Sequence, residues 1–201
     1  PILPQESNLT VNLDITANRL VQMNVIIDEY TGDIIKAIGY GNLVMRASTD
    51  GEFTITGHYD FERGNYNFNF ESLLRKPFTL REGAGNYIRW KGDPYDAELK
   101  VTAEYVAEDV SFADLALPSY FGDDVRKFRG KVLVISDLTG NLMSPNIKFR
   151  LELPQGSPLQ NNPEALLALK QIQDDQNELN KQVAFLIVFN SFGPLSTADQ
   201  S

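Results

Sequence analysis

The sequence predicts a mainly β protein, an elongated and curved antiparallel meander with an apolar inner face, followed by a C-terminal α-helical segment. Through the first three quarters of the chain, apolar and polar residues alternate with the two-residue period of a half-buried strand. Clusters that contain Gly or Pro separate these runs, as is typical of reversals between short strands. Near Asn162 the period changes to that of a helix. We therefore predict a β domain over residues 1–158 and a helical segment with a tail over residues 159–201.

The N-terminal quarter of the chain has the clearest strand pattern. Over residues 9–17 every second residue is apolar, and the residues between them are Asn, Thr or Asp, which predicts a half-buried strand. A shorter apolar run follows at residues 23–27, and a longer one covers residues 34–47. We expect the glycines of the segment 39–41 to kink or bulge this longer strand, because glycine inside a strand often marks such a site.

The central block, residues 51–105, has the longest alternation, and the rest of the chain is organised around it. Its apolar runs cover residues 53–61, 66–70, 78–80, 88–90 and 99–105. We expect the chain to reverse at residues 62–64 and again at residues 83–85, because both segments contain glycine. In such a meander the apolar residues of every run project from the same side of the sheet.

Beyond the central block the period fades and then returns. Residues 107–131 mix acidic and aromatic residues without a period, so we expect a long excursion over the sheet edge. Strands resume at residues 132–138 and at residues 147–153, which closes the β part of the chain.

Two helices are predicted at the C-terminal end. Asn162 and Pro163 form a good helix start, with Asn as the cap and Pro at the first helical position. A second helix follows Asp175, and we expect Gly193 to end it. Its last part, residues 183–189, is apolar almost all round, which predicts that it is buried against another part of the molecule.

Composition excludes several classes of function. The net charge is −9, with 27 acidic and 18 basic residues, so a nucleic-acid partner and adhesion to an anionic membrane surface are both disfavoured. The sequence has no cysteine, which excludes disulfides and thiolate zinc sites. No apolar run approaches the length of a membrane-spanning helix, and no signal peptide is present. The chain begins at Pro1 without an initiator Met, so we expect it to be a piece of a longer protein.

Residues that could carry chemistry are few. His58 is the only histidine and lies on the polar side of its strand, so a catalytic triad or a histidine-rich metal site is not expected. The glycines of segment 39–41 match half of a dinucleotide motif, but no helix pattern follows them. Asp28 and Asp33 favour a solvated turn over a calcium loop, and Trp90 favours a core position over sugar stacking. We expect no enzyme, no cofactor and no metal site.

Alternation alone leaves two architectures open. In one, two halves of the sheet cover each other as a β-sandwich or a barrel. In the other, the sheet is curved along its length, and its apolar side lines an open or half-closed groove that could hold several acyl chains in series.

Longer stretches of the sequence resemble a known family. They are Gly57–Tyr66 (GHYDFERGNY), Lys76–Leu80 (KPFTL), Ile88–Ala97 (IRWKGDPYDA), Leu138–Phe149 (LTGNLMSPNIKF) and Leu186–Phe192 (LIVFNSF). Together they resemble the C-terminal domain of TamB, a protein of the translocation and assembly module. With the long excursion and the helices, the chain is most similar to the homologues of Bacteroidetes. The resemblance covers nearly the whole chain, and its order and spacing make it specific.

The resemblance implies a place in the cell envelope. TamB-like proteins are anchored in the inner membrane by an N-terminal helix and cross the periplasm as a β-rich rod. They are similar to AsmA-like, bridge-like lipid transfer proteins, whose folded-over sheet, the β-taco, exposes a hydrophobic channel. Their C-terminal region meets an outer-membrane barrel of the Omp85 type, such as TamA. The family is associated with phospholipid transport, outer-membrane biogenesis and protein secretion.

We therefore predict a periplasmic β-taco with a groove for phospholipid acyl chains. The groove residues are predicted to be Leu13, Ile15, Phe53, Ile55, Tyr59, Phe61, Tyr66, Phe68, Phe70, Ile88, Trp90, Leu99, Val101, Phe149 and Leu151. We expect Val183, Leu186 and Ile187 of the second helix to cap the groove or to dock a partner, and we favour capping because apolar faces need covering.

Two other hypotheses belong to different classes of function. The first is a scaffold that pairs edge strands with an Omp85-type barrel during outer-membrane protein assembly, without lipid conduction. The second is a closed, self-packed spacer.

Overall fold

The structure, a computed structural model, describes residues 8–70 and 74–196. Most of it is an antiparallel β meander, with helices at the C-terminal end. The strands are β1 (Thr10–Asp28), β2 (Asp33–Ser48), β3 (Phe53–Phe70), β4 (Leu74–Leu80), β5 (Asn86–Gly92), β6 (Ala97–Ser111), β7 (Arg129–Asn141) and β8 (Asn146–Glu152). A short 3-10 helix covers Phe112–Leu115, and the α-helices are α1 (Asp123–Arg126), α2 (Pro163–Asp174) and α3 (Gln176–Phe189). The predicted mainly β fold with a C-terminal helical segment is confirmed.

The strand order within the described residues is β1-β2-β3-β4-β6-β7-β8, and β5 pairs with both β3 and β6. β4 and β5 therefore share one position in the order, between β3 and β6. β5 runs antiparallel to both β3 and β6. The chain thus passes up and down through successive neighbours, which is the connectivity of a meander.

The loop at residues 81–85 interrupts one strand position and does not reverse the chain, so the reversal predicted at residues 83–85 is wrong. Both flanks of this loop meet the same residue of β6. The Arg81 N–H donates to the Thr102 carbonyl at 2.9 Å, and the Thr102 N–H donates to Asn86 Oδ1 at 2.8 Å. Asn86 Nδ2 also donates to the Arg81 carbonyl at 2.9 Å. The buried Asn86 amide thereby replaces the backbone pairs that the inserted loop removes.

The reversal predicted at residues 62–64 is also wrong, because β3 continues to Phe70. The buried positions change from odd (Tyr59 and Phe61) to even (Tyr66) across this segment, as an extra residue in a β-bulge would cause. Gly64 allows β2 to stay close: a Cβ added there would lie 2.5 Å from the Cα of Ala37. The glycine serves a close backbone approach here and not a turn.

The chain is organised as two compact units. Unit 1 consists of Pro1–Tyr66, Leu80–Thr102 and Leu138–Asn146, and unit 2 of Asn67–Thr79, Ala103–Asp137 and Ile147–Ser201. The helices thus belong to unit 2 together with parts of several strands. The predicted boundary at residue 158 stays a prediction.

In unit 2 the helix start predicted at Asn162 is confirmed. Asn162 Oδ1 accepts from the N–H groups of Glu164 and Ala165 at 2.9 and 3.1 Å, and Pro163 is the first helical residue. The end of α3 differs from the prediction. The helix ends at Phe189, before Gly193, because Asn190 adopts the left-handed conformation that stops a helix.

The excursion in unit 2 is shorter than predicted. β6 continues to Ser111 and β7 begins at Arg129, so the residues between them number 112–128. The Phe112 N–H donates to the Phe128 carbonyl at 2.9 Å, which closes the base of the excursion. Phe112 is buried, and its ring centroid lies 5.2 Å from that of Phe128 and 5.4 Å from that of Phe192. Aromatic packing therefore orders a segment that lacks a period in the sequence.

Candidate functional site

The apolar side of the sheet in unit 1 is organised in rows that cross the strands. We call this side the inner face; it carries the odd-numbered residues of β1, β2 and the first half of β3. The register of β1 with β2 pairs Val11 with Ala47 and Leu13 with Met45. In β3, Phe53 and Ile55 also lie on the inner face. We call the residues at this end of the inner face the open rows: Val11, Leu13, Ile15, Met45, Ala47, Phe53 and Ile55.

Another row lies further along the same strands, and we call it the closed row. It contains Ala17 and Gly41, which pair in the register of β1 and β2. It continues through Tyr59, whose Cα lies 2.7 Å from the position that a Cβ of Gly41 would take. Tyr59 pairs with Ile88 and Ile88 with Leu99. Five strands thus contribute to a single row.

The two sets of rows differ sharply in solvent exposure. In the closed row Ala17 is 7% exposed, Tyr59 and Ile88 0%, and Leu99 1%. In the open rows Val11 and Leu13 are each 52% exposed, and Phe53 is 46% exposed. Contiguous exposed apolar side chains of this kind mark a site of interaction in soluble proteins. The open rows are therefore the candidate binding surface of unit 1.

The side chain of Tyr59 lies across the closed row, over β2 and toward β1. The edge of its ring, at Cε1, lies 3.0 Å from the position that a Cβ of Gly39 would take. Its hydroxyl donates to the Val21 carbonyl of β1 at 2.7 Å. Burial raises the pKa of the Tyr59 phenol, although a hydrogen bond from the Gly39 backbone lowers it slightly. The segment 39–41, where a kink or bulge was predicted, lies opposite the register shift of β1 between Ala17 and Val21. Its glycines also accommodate β3, because a Cβ on Gly39 or Gly41 would overlap a backbone carbonyl of β3.

The opposite face of the same strands is polar, as the alternation predicts. His58 lies on this face, half exposed, with its Nε2 3.4 Å from Asp60 Oδ2. Arg19 forms a salt bridge with Glu62, with 3.2 Å between Arg19 Nε and Glu62 Oε1, and its guanidinium lies over the Tyr40 ring. The solvent-facing position predicted for His58 is confirmed. Val44, which is 43% exposed, is an apolar residue on this face of β2.

The inner side of unit 2 is filled by its own aromatic rings. The ring centroid of Phe68 in β3 lies 5.9 Å from the ring centroid of Phe78 in β4. It lies 5.6 Å from the ring centroid of Phe149 in β8. Four strand spacings of about 4.8 Å separate β3 from β8 in the order, so in a flat sheet these side chains would lie about 19 Å apart. The sheet in unit 2 is therefore folded over, so that its apolar residues contact each other.

Other candidate sites have structural explanations. Asp28 Oδ1 accepts from the N–H groups of Tyr30 and Thr31 at 2.8 and 3.2 Å, the geometry of an Asx turn. Trp90 is half-buried, and its Nε1 donates to the Pro94 carbonyl at 3.2 Å. No group of three acidic, histidine or cysteine residues in the described ranges could hold a metal ion. None of the helices described combines the length and the hydropathy that a bilayer crossing needs.

A comparison with protein families agrees with the resemblance found in the sequence. The family model of the TamB C-terminal domain matches residues 3–201. The chain belongs to this family. Neither a curated protein nor a solved structure matches the chain. Membership in the TamB family supports a general role among the translocation and assembly module and lipid-transport proteins.

The residues predicted to line a groove in this TamB domain fall into three classes. Leu13 and Phe53 are exposed, and Ile15, Ile55, Phe68, Trp90 and Phe149 are half-buried. Tyr59, Phe61, Tyr66, Ile88, Leu99, Val101 and Leu151 are buried. The side chain of Phe70 lies outside the described residues. Val183, Leu186 and Ile187 are buried in unit 2. Lipid contact by any of these residues stays a prediction.

Four exposed or half-exposed residues beside or within the open rows of the TamB domain were absent from that prediction. Leu9 is 62% exposed and precedes β1, while Val11, Met45 and Ala47 belong to the open rows. Their parity in the sequence already places them on the apolar side. The missing information was which part of the apolar side the chain leaves uncovered, and alternation does not encode that.

Proposed function

We propose that this chain shields phospholipid acyl chains on the open rows of unit 1. It does so as a periplasmic part of a TamB-like protein that moves lipid between the inner and outer membranes and acts in outer-membrane protein assembly. One observation carries the proposal: Val11, Leu13 and Phe53, all on the inner face, are about half exposed. Family membership supports the lipid class of the ligand.

The chemistry of the open rows suits an acyl chain. The side chains facing solvent there are aliphatic or aromatic, and an acyl chain needs neither a hydrogen-bond partner nor a charge. From Leu9 to Ile15 the strand advances about 20 Å, and an acyl chain spans about 15 Å, half of a bilayer's hydrocarbon core. Leu9 and the open rows together therefore have the length to cover one acyl chain. Each buried CH₂ group contributes about 0.8 kcal/mol.

The proposed mechanism involves no covalent step. Lipid diffuses along apolar residues, and the protein contributes shielding from water and no catalysis. The parent protein is anchored in the inner membrane, and an Omp85-type barrel of the TamA kind receives the C-terminal end. These last two elements rest on family membership alone.

Trp90 provides a test that needs no added label. It is the only tryptophan, and it pairs with Gly57 of β3, two residues from Ile55 of the open rows. We expect phospholipid with brominated acyl chains to quench Trp90 fluorescence, because bromine quenches indole at short range. We expect Leu13→Arg to reduce the quenching severalfold, because a charged group at an apolar contact is costly.

Val44→Arg is the matched control, since Val44 has a similar exposure on the opposite face of the neighbouring strand. Quenching in this variant should equal that of the wild type. Equal quenching in Leu13→Arg and in the wild type would exclude the open rows as the binding surface. Absence of quenching in the wild type would exclude lipid binding near Trp90 altogether.

One observation favours strand pairing as a second candidate function. β1 ends the strand order and is 19 residues long, so it presents a long edge for another strand. The other terminal strand, β8, is partly blocked, because the Leu151 N–H donates to Gln173 Oε1 of α2 at 3.0 Å. Proline at positions of β1 whose N–H points away from β2 should then abolish assembly activity, while Leu13→Arg should leave it intact. The opposite result would favour lipid shielding.

A further inference from the structure

The open and closed rows meet where the inner face changes from large to small side chains. Ala17, Gly39 and Gly41 leave little side-chain volume on β1 and β2. Tyr59 lies over this place: its ring edge is 3.0 Å from the Cβ position of Gly39, and its hydroxyl reaches the Val21 carbonyl two strands away. A side chain that starts on β3 thus occupies the inner face as far as β1.

The acceptor of this hydrogen bond lies at an irregular point of β1. The register with β2 shifts between Ala17 and Val21, so three residues of β1 stand opposite one residue of β2. Val21 is 42% exposed, although Tyr59 itself is fully buried. The Tyr59 hydroxyl donates this one neutral bond and accepts another from the Gly39 backbone, and neutral bonds of this kind each contribute little net free energy. The ring is therefore held across the inner face by weak polar contacts of its hydroxyl and by packing.

We propose that Tyr59 is the stop at the end of the open rows, and that it limits how much of an acyl chain the inner face accommodates. The inference rests on the proposed lipid function. The open rows bind the chain up to the row of Ile15 and Leu43, and Tyr59 occupies the space beyond it. Loss of the hydroxyl, and with it of the bonds to Val21 and Gly39, frees the ring to move, and the acyl chain then extends over the small residues of the closed row.

The experiment compares Tyr59→Phe with Tyr66→Phe. Tyr66 is the matched control, because it is a fully buried tyrosine of the same strand whose hydroxyl donates to Asp33 Oδ2 at 3.4 Å. Each variant loses one buried hydroxyl and keeps its ring. Lysophospholipids with saturated chains of increasing length are titrated below their micelle concentrations, with Trp90 fluorescence as the readout.

For the wild type we expect the affinity to rise with chain length and then to level off. In Tyr59→Phe the affinity should level off at a longer chain length than in the wild type. The longest lysophospholipid should bind this variant about two- to tenfold more tightly than it binds the wild type, which is the fold-change equivalent to one net hydrogen bond. Tyr66→Phe should follow the wild type. Tyr59→Ala should extend the range further, and its thermal unfolding midpoint reports whether it is folded.

Three results would contradict the proposal, and they are distinguishable. If Tyr59→Phe and the folded Tyr59→Ala both follow the wild type at every chain length, Tyr59 is not a stop, and the lipid function stands. If no lysophospholipid changes Trp90 fluorescence in the wild type or in any variant, the lipid function and the stop are both wrong. A shift in Tyr66→Phe equal to that in Tyr59→Phe would assign the effect to general loosening of the core and would also overturn the stop.

Discussion

Units 1 and 2 share one sequence pattern and use it differently. Both alternate apolar and polar residues along β-strands, and in both the apolar residues occupy one side. In unit 2 that side is filled by contacts among Phe68, Phe78 and Phe149 from three strands. In unit 1 the end that carries Leu13 and Phe53 stays exposed. Alternation therefore specifies a face, and tertiary contacts decide whether the face becomes core or surface.

The C-terminal segment shows how unit 2 is closed. Gln182 of α3 is fully buried, and its amide pairs with both backbone groups of Gly193 at 2.8 and 2.9 Å. A Cβ on Gly193 would lie 3.1 Å from the Phe185 ring, so a glycine suits this contact. The Tyr105 hydroxyl of β6 donates to Asn190 Oδ1 at 2.9 Å. These contacts tie the segment after α3 into unit 2.

The largest expected effect separates two phenylalanines. Phe78→Ala in unit 2 removes a fully buried ring that contacts Phe68, Phe149 and Tyr105. We expect it to lower the free energy of unfolding by about 3–5 kcal/mol. Phe53→Ala in unit 1 is the matched control; Phe53 is 46% exposed, and its loss should cost about 1 kcal/mol or less. Urea denaturation measures both values, and equal losses would show that the open rows are core.

Sequence reasoning identified the faces well, because period is a local property. The strand over residues 9–17, the cap at Asn162 and the polar position of His58 all follow from neighbouring residues, but the half-burial predicted for that strand is wrong for residues 10–14, which are exposed on both faces. Glycine was harder to interpret. Gly64 permits a close approach of β2, and Gly83 and Gly85 lie in an inserted loop, although both segments resemble turns. The local pattern of a glycine does not distinguish these uses.

The candidate site was only partly predictable, for a different reason. Phe53 and Tyr59 have the same parity and the same strand, yet one is 46% exposed and the other is fully buried. The burial of Tyr59 depends on Gly39 and on the Val21 carbonyl. These residues are about 20 and 38 positions from Tyr59 in the sequence, and only folding brings them close to it. Burial of this kind is a property of the tertiary structure, and a period of two does not contain it.

An intermediate effect is expected from the carboxylate that holds the C-terminal segment in unit 2. Burial raises the pKa of Glu178, but hydrogen bonds from Ser196, Gln182 and Lys181 outweigh it, and the net pKa is lowered. A lowered folded-state pKa gives stability that is present above the unfolded pKa, near 4.3, and is lost as pH falls through the folded pKa. Glu178→Gln should therefore cost about 1–3 kcal/mol at pH 7 and much less at acidic pH.

Thermal unfolding of both proteins from pH 7 down to pH 3 measures this difference. Glu29→Gln, a change at an exposed residue of the turn between β1 and β2, is the control in unit 1. A gap between Glu178→Gln and the wild type that stays constant over the whole pH range would mean that ionisation of Glu178 does not stabilise unit 2.

The smallest expected effect is the most informative about function. Leu13→Arg, which should weaken lipid binding, is expected to change the free energy of unfolding by about 0.5 kcal/mol or less, because the side chain is 52% exposed on a terminal strand. Val44→Arg on the opposite face should change it by a similar amount. A small value for both, measured by urea denaturation, would mean that folding does not require an apolar residue at position 13. A loss of several kcal/mol in Leu13→Arg alone would make the open rows part of the folding core, and their apolar character would then need no ligand to explain it.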